Sequence, residues 1–418
     1  MTKLMEKQKF KQTEIGEIPE DWEVLSIETL ISRELIEKPL DGNHGNIHPK
    51  NNDFIEDGIP FVMANNIHDG NLNLKTCHYI SQKQADKLQK GFAIIGDVLL
   101  THKGTVGNVA IVEKLETPYI MLTPQVTYYR VKNSNMLCSS YIKQYFQYNL
   151  FQQTIKNISG GGTRAYIGIT TQRQLPFILS SIQEQIAIAT VLSDTDELIT
   201  SLDKLIAKKK AIKQCAMQEL LTGKKRLPRF SGEWKEKALQ ELVDFSNGKA
   251  HETFISKDGR FIVVNSKFIS SNGEVVKYSN KAFALAPAKS VLMVMSDVPN
   301  GKAIAKCFIV EEESKYTVNQ RICCLVPNID PKFLFYKINR NPWYLSFDDG
   351  VKQTNLRKED VLTCKLTLPV DHQEQVAIST ILSNMDSELE SLEKKRDKYL
   401  MIKQGMMQQL LTGKIRLI

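Results

Sequence analysis

The stretch QEQIAIATVLSDTDELITSLDKLIAKKKAIKQCAMQELLTGKKRL runs from Gln183 to Leu227. It returns as QEQVAISTILSNMDSELESLEKKRDKYLMIKQGMMQQLLTGKIRL from Gln373 to Leu417. The two align without a gap at an offset of about 190 residues, with about 25 of 45 positions identical. Chance does not give that agreement, so the chain is two related halves in tandem. Both copies read as long helices. Ser181 with Glu184, and Asp371 with Glu374, have the spacing of a capping box. Ile182, Ile186, Ala189, Leu192, Ile199, Leu202 and Leu205 recur at helical steps. So do Val376, Leu382, Met385, Leu389, Leu392, Tyr399, Ile402, Met406 and Leu410. That is a one-sided stripe of coiled-coil type. Gly223 and Gly413 stand where a left-handed cap would end each helix.

A helix of about 40 residues is about 60 Å long and cannot bury its stripe within a small domain of its own. The expected solution is that the two copies pair antiparallel. The alternative is that each covers its neighbouring domain. The seam is imperfect, because Lys395 and Arg396 replace Leu205 and Ile206 of the first copy.

Working outward, the chain divides into four segments: 1–180, 181–227, 228–370 and 371–418. The first and third mix short β-type runs such as Ile59-Pro-Phe-Val-Met63 with helical runs such as Pro331-Lys-Phe-Leu-Phe-Tyr336. Neither alternates regularly, so each module is α+β. Landmarks line up loosely between them. Trp22 opens one module and Trp234 the other, and Val98–Gly107 matches Val291–Gly301. The expected fold is therefore two α+β modules alternating with two long paired helices, a pseudo-two-fold tandem repeat.

The corresponding loops hold the side chains that read base edges, beside glycines that let backbone approach phosphate. Candidates in the first module are Asn65, Asn66, His68, His102, Lys103, Thr105, Gln125, Arg164 and Tyr166. In the second they are Asn265, Lys267, Asp297, Lys302, Gln320, Arg321, Lys352, Gln353 and Asn355. Lys208–Lys210 and Lys224–Arg226 could track phosphates, but a charge run on a helix is usually a solvated face, and that reading is preferred.

Composition sets the remaining limits. A chain of 418 residues with 42% hydrophobic residues builds sizeable cores, and a net charge of +8 suits a polyanionic partner. Seven cysteines without C-x-x-C spacing argue against a disulfide framework or a zinc ribbon and point to a reducing, cytoplasmic setting. Neither a signal segment nor a membrane span is expected. A phosphate-binding G-x-x-x-x-G-K-[ST] loop is missing. Asn341-Pro-Trp-Tyr344 lacks the second proline of the Asn-Pro-Pro-Tyr motif of adenine methyltransferases, and no Gly-rich nucleoside loop precedes it. His251-Glu252 lacks a second histidine at helical spacing, and Cys323-Cys324 read as strand core. Catalytic and metal-ligating residues are thus not expected.

Taken together, Gly16-Glu-Ile-Pro-Glu-Asp-Trp22, Gly104-Thr-Val-Gly107 and the two Gln-Glu-Gln helices ending in Leu-Leu-Thr-Gly-Lys resemble the specificity subunit of a type I restriction–modification system. The resemblance covers nearly the whole chain. It implies two target-recognition domains, each reading one half of a split, asymmetric site on double-stranded DNA, and paired helices that set the spacing. It further implies a subunit without catalysis or cofactor of its own. Its partners would be two methyltransferase subunits, which use S-adenosylmethionine. In the full complex, restriction subunits using ATP and magnesium would join them. Gln183, Gln214, Gln373 and Gln404 are shared by the repeats and are candidates for partner contacts. The competing readings are a methylation-only or type II-like system, a fused methyltransferase–nuclease, and a coiled-coil adaptor that does not touch DNA.

Overall fold

A computed structural model describes residues 9–160, 165–299 and 301–417, with only the backbone described at position 46. The chain forms two compact units. One comprises Met1–Leu202 with Lys395–Ile418, and the other Asp203–Lys394. The first long helix spans Ile182–Leu220 and the second His372–Leu410, so each helix contributes to both units.

In the first unit, a four-stranded antiparallel sheet runs in the order Thr105–Ile111, Val98–Lys103, Val126–Tyr129, Leu40–Asp41. Strands alternate sides, so the sheet has two apolar faces. Leu99, Ala110, Val126 and Tyr128 share a core with Val62, Ile120 and Leu122 of a five-stranded mixed sheet. Val98, Leu100 and Tyr129 face helices Ser139–Gln147 and Asn149–Ile158. That second core also takes Ile188, Ala189 and Leu192 from the first long helix and Met407 and Leu410 from the second, with Leu411 just beyond its end.

The second unit repeats this plan, with three strands in its mixed sheet instead of five. Its four-stranded sheet is ordered Val243–Asn247, Ile322–Pro327, Val291–Val294, Cys307–Ile309. Its core includes Leu220, Ile378 and Leu382 of the long helices, and Leu221 just past the end of the first. Cys323 and Cys324 lie buried in a strand, as the sequence suggested. Asn341 caps a short helix by accepting from the Trp343 N–H, and Tyr344 packs in the core.

Within each unit the long helices lie antiparallel. Asp196 pairs with Lys403 at 2.6 Å in the first unit, and the duplicated pair, Asp386 with Lys213, recurs in the second. Helix pairing and module burial, posed as alternatives from sequence, both occur. Of the stripe read from sequence, Ala189, Leu192, Ile199 and Leu202 are buried, and Ile188 and Ile206 join them. Ile186, Leu205, Val376 and Ile402 are exposed, because the cores of the modules, and not the partner helix alone, select the buried face. The lysine run keeps its solvated face, with Lys208 and Lys210 exposed, while two of its members also reach the partner helix. Lys209 pairs with Glu388 and Lys210 with Glu393, each at 2.6 Å.

The Gln-Glu-Gln and Leu-Leu-Thr-Gly-Lys motifs form one clasp per unit. Ser181 caps its helix by accepting from the Glu184 N–H. The Glu184 side chain turns back to the Ser181 hydroxyl, from which it accepts at 3.2 Å. It is buried, accepts from Trp22 Nε1 at 3.0 Å, and is paired with Arg416, whose guanidinium also forks onto Asp21. The second unit repeats this with buried Glu374 held by Arg226 at 2.7 and 2.8 Å. Each arginine also lies over a tryptophan ring, Arg416 on Trp22 and Arg226 on Trp234. Gly223 and Gly413 have φ of +72° and +67°, as expected of left-handed caps. A side chain there would meet the Trp234 ring in one case and Pro19 and Trp22 in the other. The neighbouring glutamines tie helix to module. Gln185 accepts from the Cys138 N–H at 3.0 Å, and Gln375 from the Asp330 N–H at 3.1 Å.

Removing an arginine from this clasp strands a buried carboxylate, a defect worth about 3 kcal/mol. Arg416→Ala is expected to lower hydrogen-exchange protection selectively in the first unit, and Arg226→Ala in the second. Adding Glu184→Gln to Arg416→Ala should restore most of the loss. Uniform loss across both units would show that the clasp does not act locally.

Candidate nucleic-acid interface

Each module gathers its candidate residues at the end of one central strand. In the first, the His102 N–H donates to the Gln125 carbonyl, and the His102 carbonyl accepts from the Ile167 N–H, both at 2.9 Å. Lys103 bridges to Tyr166, and the Gly104 N–H donates to the Ala165 carbonyl. The strand end is thereby clipped between the turn at 123–125 and the segment at 165–167. Gln125 Oε1 accepts from the Ala64 N–H at 3.3 Å, which brings Asn65 alongside. Asn108 Nδ2 donates to the Ile67 carbonyl and draws in the hairpin that carries His68. Asn65, His68, Lys103, Thr105 and Tyr166 are exposed there, and Gln125 is half-buried. Arg164 lies outside the described residues.

The second module uses the same clip. The Met295 N–H donates to the Arg321 carbonyl, and the Leu356 N–H to the Met295 carbonyl. Ser296–Asp297 pairs with Thr354–Asn355 where the first module has the Lys103–Tyr166 bridge. Gln125 thus corresponds to Arg321, Tyr166 to Asn355 and His102 to Met295. Lys267, Lys302, Gln320, Arg321, Lys352, Gln353 and Asn355 are exposed.

Several candidates make hydrogen bonds within their own module, and some of them are not on the open surface. Asn66 is buried, accepting from the Met63 N–H and donating to Thr76 Oγ1. Asn265 is half-buried and caps a short helix through the Phe268 N–H. Asp297 accepts from the backbone of Val298, Ala303 and Ile304, folding its own loop. Gln320 reaches Glu252 at 3.4 Å, and Gln353 reaches Ser296 Oγ at 2.7 Å. His102 is only 1% exposed, so the expectation of an open base-reading imidazole fails. Its Nδ1 lies 3.0 Å from the Ile167 carbonyl and donates to it, which leaves Nε2 as the acceptor nitrogen. Nε2 has no hydrogen-bond partner among the described residues and lies 4.0 Å from Asp41 Oδ2. Burial holds the His102 pKa below its usual value, against the opposing Ile167 carbonyl and Asp41. At Asp41 burial acts to raise the pKa, but Lys90 and His44 outweigh it and the carboxyl stays below its ordinary range.

Two glycines central to this geometry escaped the sequence reading. A side chain on Gly42 would collide with the Leu122 carbonyl, and one on Gly248 with the Asn319 carbonyl. Both positions lie against the start of the turn that carries Gln125 or Arg321, so backbone approaches backbone at the same place in each module. Only comparison of the two halves could have revealed them. The four glutamines Gln183, Gln214, Gln373 and Gln404 are all exposed on the long helices.

A family model of the type I restriction modification DNA specificity domain matches residues 19–214 and again 231–400. The chain belongs to this family. A Methanocaldococcus jannaschii protein named for the MjaX type I restriction enzyme specificity subunit is 26% identical over 439 residues, covering 97% of this chain and 96% of the relative. The MjaVIII specificity subunit of the same organism is 26% identical over 232 residues, covering 54% of this chain and 51% of its own length. Among solved structures, the type I restriction–modification S subunit from M. genitalium superposes with a TM-score of 0.62 at 15% identity, over 93% of this chain and 96% of that one. A chain from a structural study of type I R-M complex assembly and conformational transition gives 0.54 at 13% identity, over 95% and 99%. Those two likenesses concern the fold. The two family matches coincide with the two duplicated halves, so this is a type I specificity subunit with two modules of one kind. No helix among the described residues is long and apolar enough to cross a membrane.

The depressed His102 pKa has a defined sign. As pH falls through about 6.5, the unfolded chain takes up a proton that the folded one refuses, so the first unit loses stability. His102→Met, which installs the residue of the second module, should remove that part of the loss between pH 7.5 and 5.5 in thermal unfolding. An unchanged pH dependence would show that His102 takes up its proton alike in the folded and unfolded chain.

Proposed function

We propose that each module of this specificity subunit reads one half of a bipartite, asymmetric site on double-stranded DNA, and that the paired helices set the gap between the halves. The observation that carries this reading is the repeated backbone clip with exchanged side chains: Gln125 for Arg321, Lys103 for Ser296, and Tyr166 for Asn355. A shared frame with different donors and acceptors suits two readers of different sequence, since glutamine matches adenine and arginine matches guanine in the major groove. Asn65, His68, Lys103, Thr105, Gln125, Arg164 and Tyr166 are proposed for the first half-site. Lys267, Lys302, Gln320, Arg321, Lys352, Gln353 and Asn355 are proposed for the second. Asn66, His102, Asn265 and Asp297 act by positioning these loops. The subunit is non-catalytic and cytoplasmic in this reading. Two methyltransferase subunits using S-adenosylmethionine dock on the two equivalent helix ends, with Gln183, Gln214, Gln373 and Gln404 in the contacts. Restriction subunits using ATP and magnesium join the complete assembly.

Exchanging residues 20–180 for another reader should change one half of the methylated sequence and leave the other intact. Methylation mapping that finds both halves altered would defeat the reading. Lengthening both helices by one heptad should widen the gap by about 10 Å, or about three base pairs, without changing either half. An unaltered gap would remove the helices from that role.

A further inference from the structure

The polar reading end of the second module carries an apolar tip. Val351 is 75% exposed, more than any other large apolar side chain among the described residues, and Val298 is 63% exposed. Both are held out by their backbones. Asp349 Oδ1 accepts from the N–H groups of Val351 and Lys352 at 2.9 and 3.0 Å. Asp348 Oδ1 accepts from Gly350 and from Thr354 Oγ1. Val298 donates its N–H to Asp297 Oδ1, and its carbonyl accepts from Gly301. A slack loop would fold a valine inward, whereas these turns fix it in the open.

The two loops also spring from one place. Asp297 pairs with Thr354 in an antiparallel ribbon, so the chain after Asp297 and the chain before Thr354 leave at the same end. A two-stranded ribbon is of a size that enters the major groove, where thymine alone presents a methyl group. The exposed cations Lys302 and Lys352 lie on the same two loops and suit phosphates on either side. Two separated valines amid charge form too small an apolar area for a protein partner.

We propose that Val351, with Val298 on the loop that leaves the same ribbon end, reads the 5-methyl group of a thymine in the half-site of the second module. The proposal rests on the DNA-reading function argued above. Its test uses the full chain and duplexes bearing the site found by methylation mapping. Each thymine of that half-site is replaced in turn by deoxyuridine, which pairs identically but lacks the methyl group. One replacement should weaken binding about fourfold, the worth of one buried methyl-sized group. Val351→Ser or Val298→Ser should bind the deoxyuridine duplex as the unaltered chain does, and should lose the preference for thymine. A half-site without thymine, a flat response at every position, or a preference unchanged in both variants would overturn the proposal while leaving DNA reading in place. So would a flat response with variants that fail to assemble with methyltransferase, which would assign the valines to protein contact. Loss of all preference for the mapped site in the unaltered chain would overturn the underlying reading itself.

Discussion

A carboxylate withdrawn from water is tolerable only when paired, and this protein buries two at equivalent points, Glu184 and Glu374. Glu184 is met by Arg416, 232 residues later in the chain. The first module can therefore satisfy the start of its own helix only when the final residues of the chain return to it. That single demand explains why the first unit is discontinuous in sequence. It also explains why the repeat ends in a fixed order of leucines, glycine and a basic residue. The leucines enter the core of the module, the glycine passes under a tryptophan, and the arginine closes on the glutamate.

The duplication has kept what carries the frame and changed what faces outward. Ile188 with Ile378, Leu192 with Leu382, and Leu220 with Leu410 are buried in both copies. The strand-end clip through His102 recurs through Met295 although the side chains have nothing in common, because the clip is made by backbone groups. Trp22 and Trp234 hold the same place, yet only Trp22 donates its ring N–H to the buried glutamate. Trp234 Nε1 finds no partner among the described residues. The two clasps share a plan and differ in how completely it is satisfied.

The long helices and their caps were legible because a repeat of 45 residues leaves little freedom in assignment. The buried face of those helices was less so. Ile186 fits a heptad stripe as well as Ile188 does, and only the core of the neighbouring module decides between them. The loops were harder again. Asn66, Asn265 and Asp297 have the composition of base readers, but the same donors and acceptors serve equally well to cap turns. Nothing in a single sequence separates the two uses. Gly42 and Gly248 lay hidden for a related reason: a close approach between distant segments leaves no local signature.

Charge pairs cross between the long helices in both units. The second unit has Lys209–Glu388, Lys210–Glu393 and Lys213–Asp386 along its helix pair. In the first, Lys403–Asp196 persists, while Tyr399 and Leu400 occupy the places of Lys209 and Lys210. Mobile ions weaken partly exposed charge pairs and leave apolar packing largely alone. Rising ionic strength therefore weakens the three charge pairs that join the helices of the second unit and leaves the leucines and isoleucines between them in place, so electrolyte concentration becomes a means of loosening the lysine seam without opening the core beneath it.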